Sequence, residues 1–147
     1  EIPPNTGNVA RLCAATGSAL HLVEPLGFKL DDAQLKRAGM DYWRQVRWHR
    51  WPSWRAFETQ LQARDVLWFV ESGGPRVYTQ AHFSPGDYLV FGRETAGIPQ
   101  SLLEGRRDHW LRIPMFNAQS RSLNLSNCVA LVLFEALRQM GFQDEIA

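Results

Sequence analysis

Two short runs without a polar residue, Val66 to Val70 and Tyr88 to Phe91, constrain this chain most. A strand with one wet face alternates apolar and polar residues, whereas a strand covered on both faces does not need to. Both runs therefore predict strands of a parallel sheet, and His109 to Ile113 is a third candidate. Helical spacing surrounds them. Val9, Leu12 and Cys13 predict a helix over Thr6 to Ala15, with Asn5 or Thr6 as N-cap and Gly17 as terminator. Asp31 and Asp32 stand before a helical run through Leu35 and Ala38, where a helix N-terminus favours negative charge. Ser53 is placed to cap a helix carrying Trp54, Phe57 and Leu61. Ala19 to Val23 reads as a short strand, and Val46 with Trp48 gives a weaker strand signal. The last helix, from about Leu123 to Met140, is apolar nearly all round. A helix of that pattern is expected to be buried on more than one side.

Strands alternating with helices define an α/β domain built on a parallel sheet. At 147 residues the chain has the length of one domain, 1–147, without repeats, low-complexity tracts or linkers. It opens on Glu1-Ile2-Pro3-Pro4 with no initiator Met and no apolar strand before it, so a first strand is expected to be missing.

Charge narrows the class. Sixteen Lys and Arg stand against 15 Asp and Glu, which argues against a uniformly basic coat protein and a disordered tail. Only Lys29 and Lys36 are lysines, so arginine dominates the cations. Arginine suits bidentate phosphate contacts and stacking on aromatic rings, although a genome rich in G and C gives the same bias. Lys36, Arg37, Arg44, Arg47, Arg50 and Arg55 face Asp41 alone, and Trp43, Trp48, Trp51 and Trp54 interleave with them. That pattern suits an unpaired nucleic-acid strand. It also suits tryptophans in a core or subunit interface with the arginines in solvent; most of the tryptophans are expected to be of that kind, and some of the arginines to meet RNA.

Cys13 and Cys128 lie in apolar helical patterns with no CxxC, so buried reduced thiols and a cytoplasmic protein are expected. No apolar stretch approaches the length of a membrane span. His21, His49, His82 and His109 are scattered, which disfavours a metal site. Nor is there a Gly-x-Ser-x-Gly or a P-loop, so a nucleophilic hydrolase and a nucleotide triphosphatase are disfavoured.

Three junctions carry more glycine and polar residues than folding needs. Pro3-Pro4-Asn5-Thr6-Gly7-Asn8 leads into a helix with Arg11, a start that favours anions. Phe91-Gly92-Arg93-Glu94-Thr95-Ala96-Gly97-Ile98-Pro99 follows a buried strand, and glycine at a strand's carboxyl end permits close backbone approach to a ligand. Ile113-Pro114-Met115 leads through a polar loop to Ser120, Ser122, Asn124, Ser126 and Asn127, more Ser and Asn than one helix cap requires.

In this order the three junctions resemble the three motifs of the SPOUT methyltransferases, most closely the TrmL (YibK-like) group of tRNA (cytidine/uridine) wobble 2′-O-methyltransferases. The likeness extends over nearly the whole chain, including Glu24-Pro25-Leu26-Gly27-Phe28 and Arg37-Ala38-Gly39-Met40-Asp41-Tyr42. It implies a parallel sheet flanked by helices with a C-terminal deep trefoil knot, a homodimer, and S-adenosylmethionine as methyl donor, leaving as S-adenosylhomocysteine. The implied substrate is the anticodon stem-loop of tRNA, with neither membrane nor metal involved. Val70, Gly92, Ile113 and Ser122 match the family's cofactor positions. Asn5, Arg11, Glu94 and Asn124 match its polar active-site positions, with Asn5 and Arg11 toward the substrate and Arg11, Glu94 and Asn124 as the catalytic set. A guanidinium is very hard to deprotonate, so Arg11 is expected to clamp phosphate and stabilise developing negative charge, with base function as the alternative. The loop through Phe116 to Ser120 is one residue longer than the family pattern, and Phe134 stands where a tyrosine is expected. A relative that methylates a base or another RNA, and a silent RNA-binding dimer, are the alternative readings.

Overall fold

The computed structural model describes residues 4–25, 41–93, 96–120 and 122–146. They group into two compact units, 1–63 and 64–147, and each is described by itself. The helix expected after Asp31 lies outside the described residues.

The first unit opens with helix α1, Pro4–Thr16. Proline is harmless in a first turn because its missing N–H would have no helical partner. The helix thus begins before Asn5 and Thr6, which lie within its first turn instead of capping it. Its end is as expected: Gly17 adopts φ +70°, and Ser18 N–H donates back to the Cys13 carbonyl at 3.0 Å, closing the last turn through a left-handed residue. Ala10 and Cys13 are buried.

Strands β1, Leu20–Val23, and β2, Trp48–Trp51, pair in parallel with Leu20 beside Trp48. Alternation gives the ribbon two different faces. Leu20 packs with Ala10, Cys13, Trp43 and Val46, and half-buried Leu22 and Trp48 lie against that cluster. On the other face His21 stacks on His49 at 4.9 Å, and both His21 and Trp51 meet the Phe57 ring edge-on. Phe57 belongs to α2, Trp54–Thr59, whose N-cap Ser53 accepts from Ala56 N–H at 3.1 Å, the capping expected from sequence. Trp43 is buried and the other three tryptophans of the segment are half-buried, while Arg44, Arg47, Arg50 and Arg55 are exposed.

His21 Nδ1 accepts a hydrogen bond from Trp51 Nε1 at 3.0 Å. Burial, and then the neighbouring His49, lower its pKa below the usual imidazole value. A depressed folded pKa means the unfolded chain takes up the proton first as pH falls. The stability contributed by neutral His21 is therefore present above about pH 6.5 and declines below it. Thermal unfolding should occur at lower temperature at about pH 5.5 than at about pH 7.5. His21→Gln, which keeps an acceptor for Trp51 but cannot titrate, should lose part of that difference; an unchanged difference would remove His21 as its source.

The second unit holds four parallel strands in the order β4-β6-β3-β5. They are β3, Leu67–Val70; β4, Arg76–Val77; β5, Tyr88–Phe91; and β6, Trp110–Arg112. Strand β3 lies between β6 and β5, and its Trp68, Phe69 and Val70 are all buried, as an unbroken apolar run requires. Strand β5 borders β3 and is half-buried throughout, which corrects the expectation that its apolar run is covered on both faces. Among the described strands and α-helices, two escaped prediction, the two-residue β4 and the single-turn helix α3, Gln100–Leu103, both too short to show a period. Val132 and Ala136 of helix α4, Leu125–Gln139, share a core with Trp68, Val70, Phe83 and Leu111. Gln139 fastens the end of α4, accepting from Phe83 N–H at 2.9 Å and donating to the Ala81 carbonyl at 2.8 Å.

The expectation that α4 is buried on more than one side is corrected here. Val129, Val132 and Ala136 form its one buried stripe, while Leu131 is 40% and Phe134 46% exposed. Asn127, Leu131, Phe134 and Arg138, spaced at helical intervals, are all exposed. No described helix is long and apolar enough to cross a membrane.

Candidate active site

Because β6, β3 and β5 are adjacent and parallel, their carboxyl ends finish at one edge of the sheet, where α/β folds place ligands. A cleft of about 450 Å³ opens there, within the range of small-molecule sites. Val70 comes to it from the end of β3, Gly92 from the residue after β5, and Ile113 from the residue after β6. Ser122 and Asn124 reach the same cleft from the approach to α4. All four residues matched to cofactor positions thus line one concavity, together with Asn124 of the polar set.

The loop after β5 shows why glycine stands where it does. Gly97 N–H donates to the Arg93 carbonyl at 2.8 Å, folding the loop back on itself. A Cβ on Gly92 would clash with the Gly97 carbonyl carbon and the Ile98 nitrogen, so the two backbones approach at a separation only glycine allows. Gly97 has φ +68°, and its bare Cα lies under the Glu71 carboxylate. Glu71 Oε1 accepts from Ile98 N–H at 3.3 Å, and Ile98 is buried. A strand-end carboxylate therefore holds the loop from below.

Asn124 caps α4: its Oδ1 accepts from Ser126 N–H at 2.9 Å and from the Ser126 hydroxyl at 2.7 Å. The Ser/Asn-rich approach also folds locally, with Asn117 Oδ1 accepting from Gln119 N–H at 3.0 Å. Ser122 is exposed at the cleft. Asn5 and Arg11 stand on α1 in the first unit, Asn5 half-buried and Arg11 exposed. Glu94 lies outside the described residues, as does Arg121. Among the described residues no cluster of three or more His, Cys, Asp or Glu could hold a metal ion.

Sequence reasoning missed Glu71 and Cys128, both of which line the cleft. Glu71 was findable as the first polar residue after the buried run. Cys128 was expected to be buried, and the structure corrects this to half-buried at the cleft wall; only Cys13 is buried. Burial pushes the Cys13 thiol up to about 11. The Cys128 thiol is also raised, first by burial and further by the charge of Glu71. The thiolate is the reactive form, so a maleimide at about pH 8 should label Cys128 slowly and leave native Cys13 unmodified over the same period. Equal labelling of both thiols in the folded protein would contradict this placement.

A cleft at the carboxyl edge of a parallel sheet, closed by a glycine turn and a polar helix start, defines a ligand-binding α/β protein. Comparison narrows the class: the model of the SpoU rRNA Methylase family matches residues 1–134. A Burkholderia cenocepacia protein named tRNA (cytidine(34)-2′-O)-methyltransferase is 54% identical over 147 residues, covering 97% of this chain and 92% of its own. A solved structure concerned with the 2-OH methylation of C/U34 on tRNA aligns with TM-score 0.87 and 43% identity, over 97% of this chain and 92% of that one. The SpoU methyltransferase AviRb of Streptomyces viridochromogenes, solved in complex with the cofactor AdoMet, aligns with TM-score 0.79 and 26% identity, over 92% of this chain and 53% of that one. This chain belongs to the SpoU rRNA Methylase family.

Proposed function

We propose that this protein transfers a methyl group from S-adenosylmethionine to the ribose 2′-hydroxyl of the wobble pyrimidine, nucleotide 34, of tRNA. The observation that carries the reading is the meeting of Val70, Gly92, Ile113 and Ser122 in one cleft of a chain 54% identical to a relative named for that reaction.

The cleft suits such a cofactor chemically. Ile113, Met115 and Leu123 offer apolar walls for a heteroaromatic base, and backbone groups at the strand ends with Ser122 and Asn124 offer hydrogen bonds. When bound, S-adenosylmethionine supplies a methyl group on a sulfonium, open to in-line attack by an oxygen. The chain's own task is to hold the hydroxyl in line and to favour charge developing on its oxygen. Arg11 is the group proposed for the second role. It stays protonated, clamps a neighbouring phosphate and faces the developing oxyanion. Glu94 and Asn124 complete the polar set, and Asn5 joins Arg11 toward the substrate.

The reading extends to the assembly. The whole chain acts as one SPOUT domain, its C-terminal part tied as a deep trefoil knot, a rare exception to unknotted topology. Two copies form the working unit, in the cytoplasm where the anticodon stem-loop is met. The exposed apolar stripe with Leu131 and Phe134 supports a second copy, since monomers rarely leave such side chains together in water. Phe134→Glu should shift sedimentation from dimer toward monomer by at least about tenfold in dissociation constant. An unshifted dimer would move the interface elsewhere.

Incubation of the full chain with methyl-labelled S-adenosylmethionine and tRNA tests the activity. Label is expected on a 2′-O-methylated pyrimidine nucleoside; label on a base, or none, would contradict the reading.

A further inference from the structure

Glu71 does more than brace the loop. It follows β3, and its carboxylate rests on Gly97 with Oε1 fixed by Ile98 N–H at 3.3 Å. The backbone beneath it is equally fixed: its N–H donates to the Leu111 carbonyl at 3.0 Å, and its carbonyl accepts from Trp110 Nε1 at 3.1 Å. Oε2 has no hydrogen-bond donor and no ion-pair partner among the described residues, although Arg93 lines the same cleft. Glu71 lines that cleft, so the carboxylate oxygen that Ile98 does not hold can accept from a donor on a bound ligand.

Resting on the cofactor reading above, we infer that Glu71 is a cofactor-binding residue whose Oε2 accepts from the ribose hydroxyls of the adenosine moiety. The ligand's own carboxylate would be repelled there. A vicinal diol presents two donors to one acidic group, and a strand-end carboxylate is a recurrent partner for ribose hydroxyls in α/β folds. Glycine at 97 is then needed twice, for its positive φ and for room to lay the carboxylate flat.

Calorimetry on the full-length chain tests this with three ligands: S-adenosylmethionine, S-adenosylhomocysteine, and an S-adenosylhomocysteine analogue lacking both ribose hydroxyls. Glu71→Ala should weaken the first two equally, by about ten- to a hundredfold, the effect of removing hydrogen bonds to a charged group. Glu71→Gln, which keeps an acceptor for Ile98 N–H and so guards the loop, should weaken both by a smaller factor. Wild type and Glu71→Gln should bind the dideoxy analogue with the same low affinity. The inference is overturned if both variants bind S-adenosylhomocysteine as tightly as wild type, or if the variants weaken the analogue as much as the parent ligand. It is also overturned if only S-adenosylmethionine is weakened, which would make Glu71 a partner of the sulfonium. Failure of the underlying reading looks different: wild type itself would show no saturable heat with either natural ligand.

Discussion

Gly92→Ala should lower the affinity for S-adenosylmethionine by at least about a hundredfold while leaving a cooperatively unfolding protein. The new methyl would have to share space with the Gly97 carbonyl carbon and the Ile98 nitrogen, and both are backbone atoms that no rotamer change can move aside. The loop must therefore shift away from β5, breaking the Gly97 to Arg93 hydrogen bond that folds it. Withdrawing two backbone hydrogen bonds from the ligand, each about 1–1.5 kcal/mol, is enough for a hundredfold loss of affinity, whereas overpacking costs the fold about 1–3 kcal/mol. Titration calorimetry and thermal unfolding of the same sample separate the two. Affinity within a few fold of wild type would mean that the backbone contact at Gly92 does not shape the site.

Arg11→Ala should divide the effects in the opposite way. Arg11 is exposed on α1, so its loss should leave folding intact. Loss of one group that stabilises a developing oxyanion lowers turnover by about a hundred- to a thousandfold. Cofactor affinity should remain within about threefold, because the proposed role concerns charge that appears only during transfer. Arg11→Lys should recover little of the rate, since an ammonium cannot reproduce the bidentate fork. Collapse of cofactor binding together with turnover would instead make Arg11 part of the scaffold.

These predictions differ in how far the sequence alone supports them. The β3 run of consecutive apolar residues disclosed a strand covered on both faces, and that determined where its carboxyl end and Val70 would lie. Gly92 was legible as the residue closing an apolar strand, and Ser53 as a cap three residues before the N–H it accepts. Glu71 was not legible as a brace, because its partner Ile98 is 27 residues distant and no local period links them. Strand β4 was invisible for a different reason: two residues carry no alternation. The error over α4 is the most instructive. Helical periodicity reports that an apolar face will be covered but is silent on whether this chain or another covers it. Val129 and Val132 find their cover within the unit, and Leu131 and Phe134 do not. Asn5 and Thr6 were assigned as caps because both side chains suit that role, yet Pro4 begins the helix two residues before Thr6.

The central claim is methylation of the ribose, and not the base, of nucleotide 34. Mass spectrometry of nucleosides and anticodon-loop fragments of tRNA, from a strain lacking this protein and from that strain carrying wild type or Arg11→Ala, tests it most directly. The account predicts that a 2′-O-methylated pyrimidine at position 34 disappears in the deletion, returns with wild type and stays absent with Arg11→Ala. An unchanged wobble ribose methyl in the deletion strain, or loss of a base methyl in its place, would contradict it.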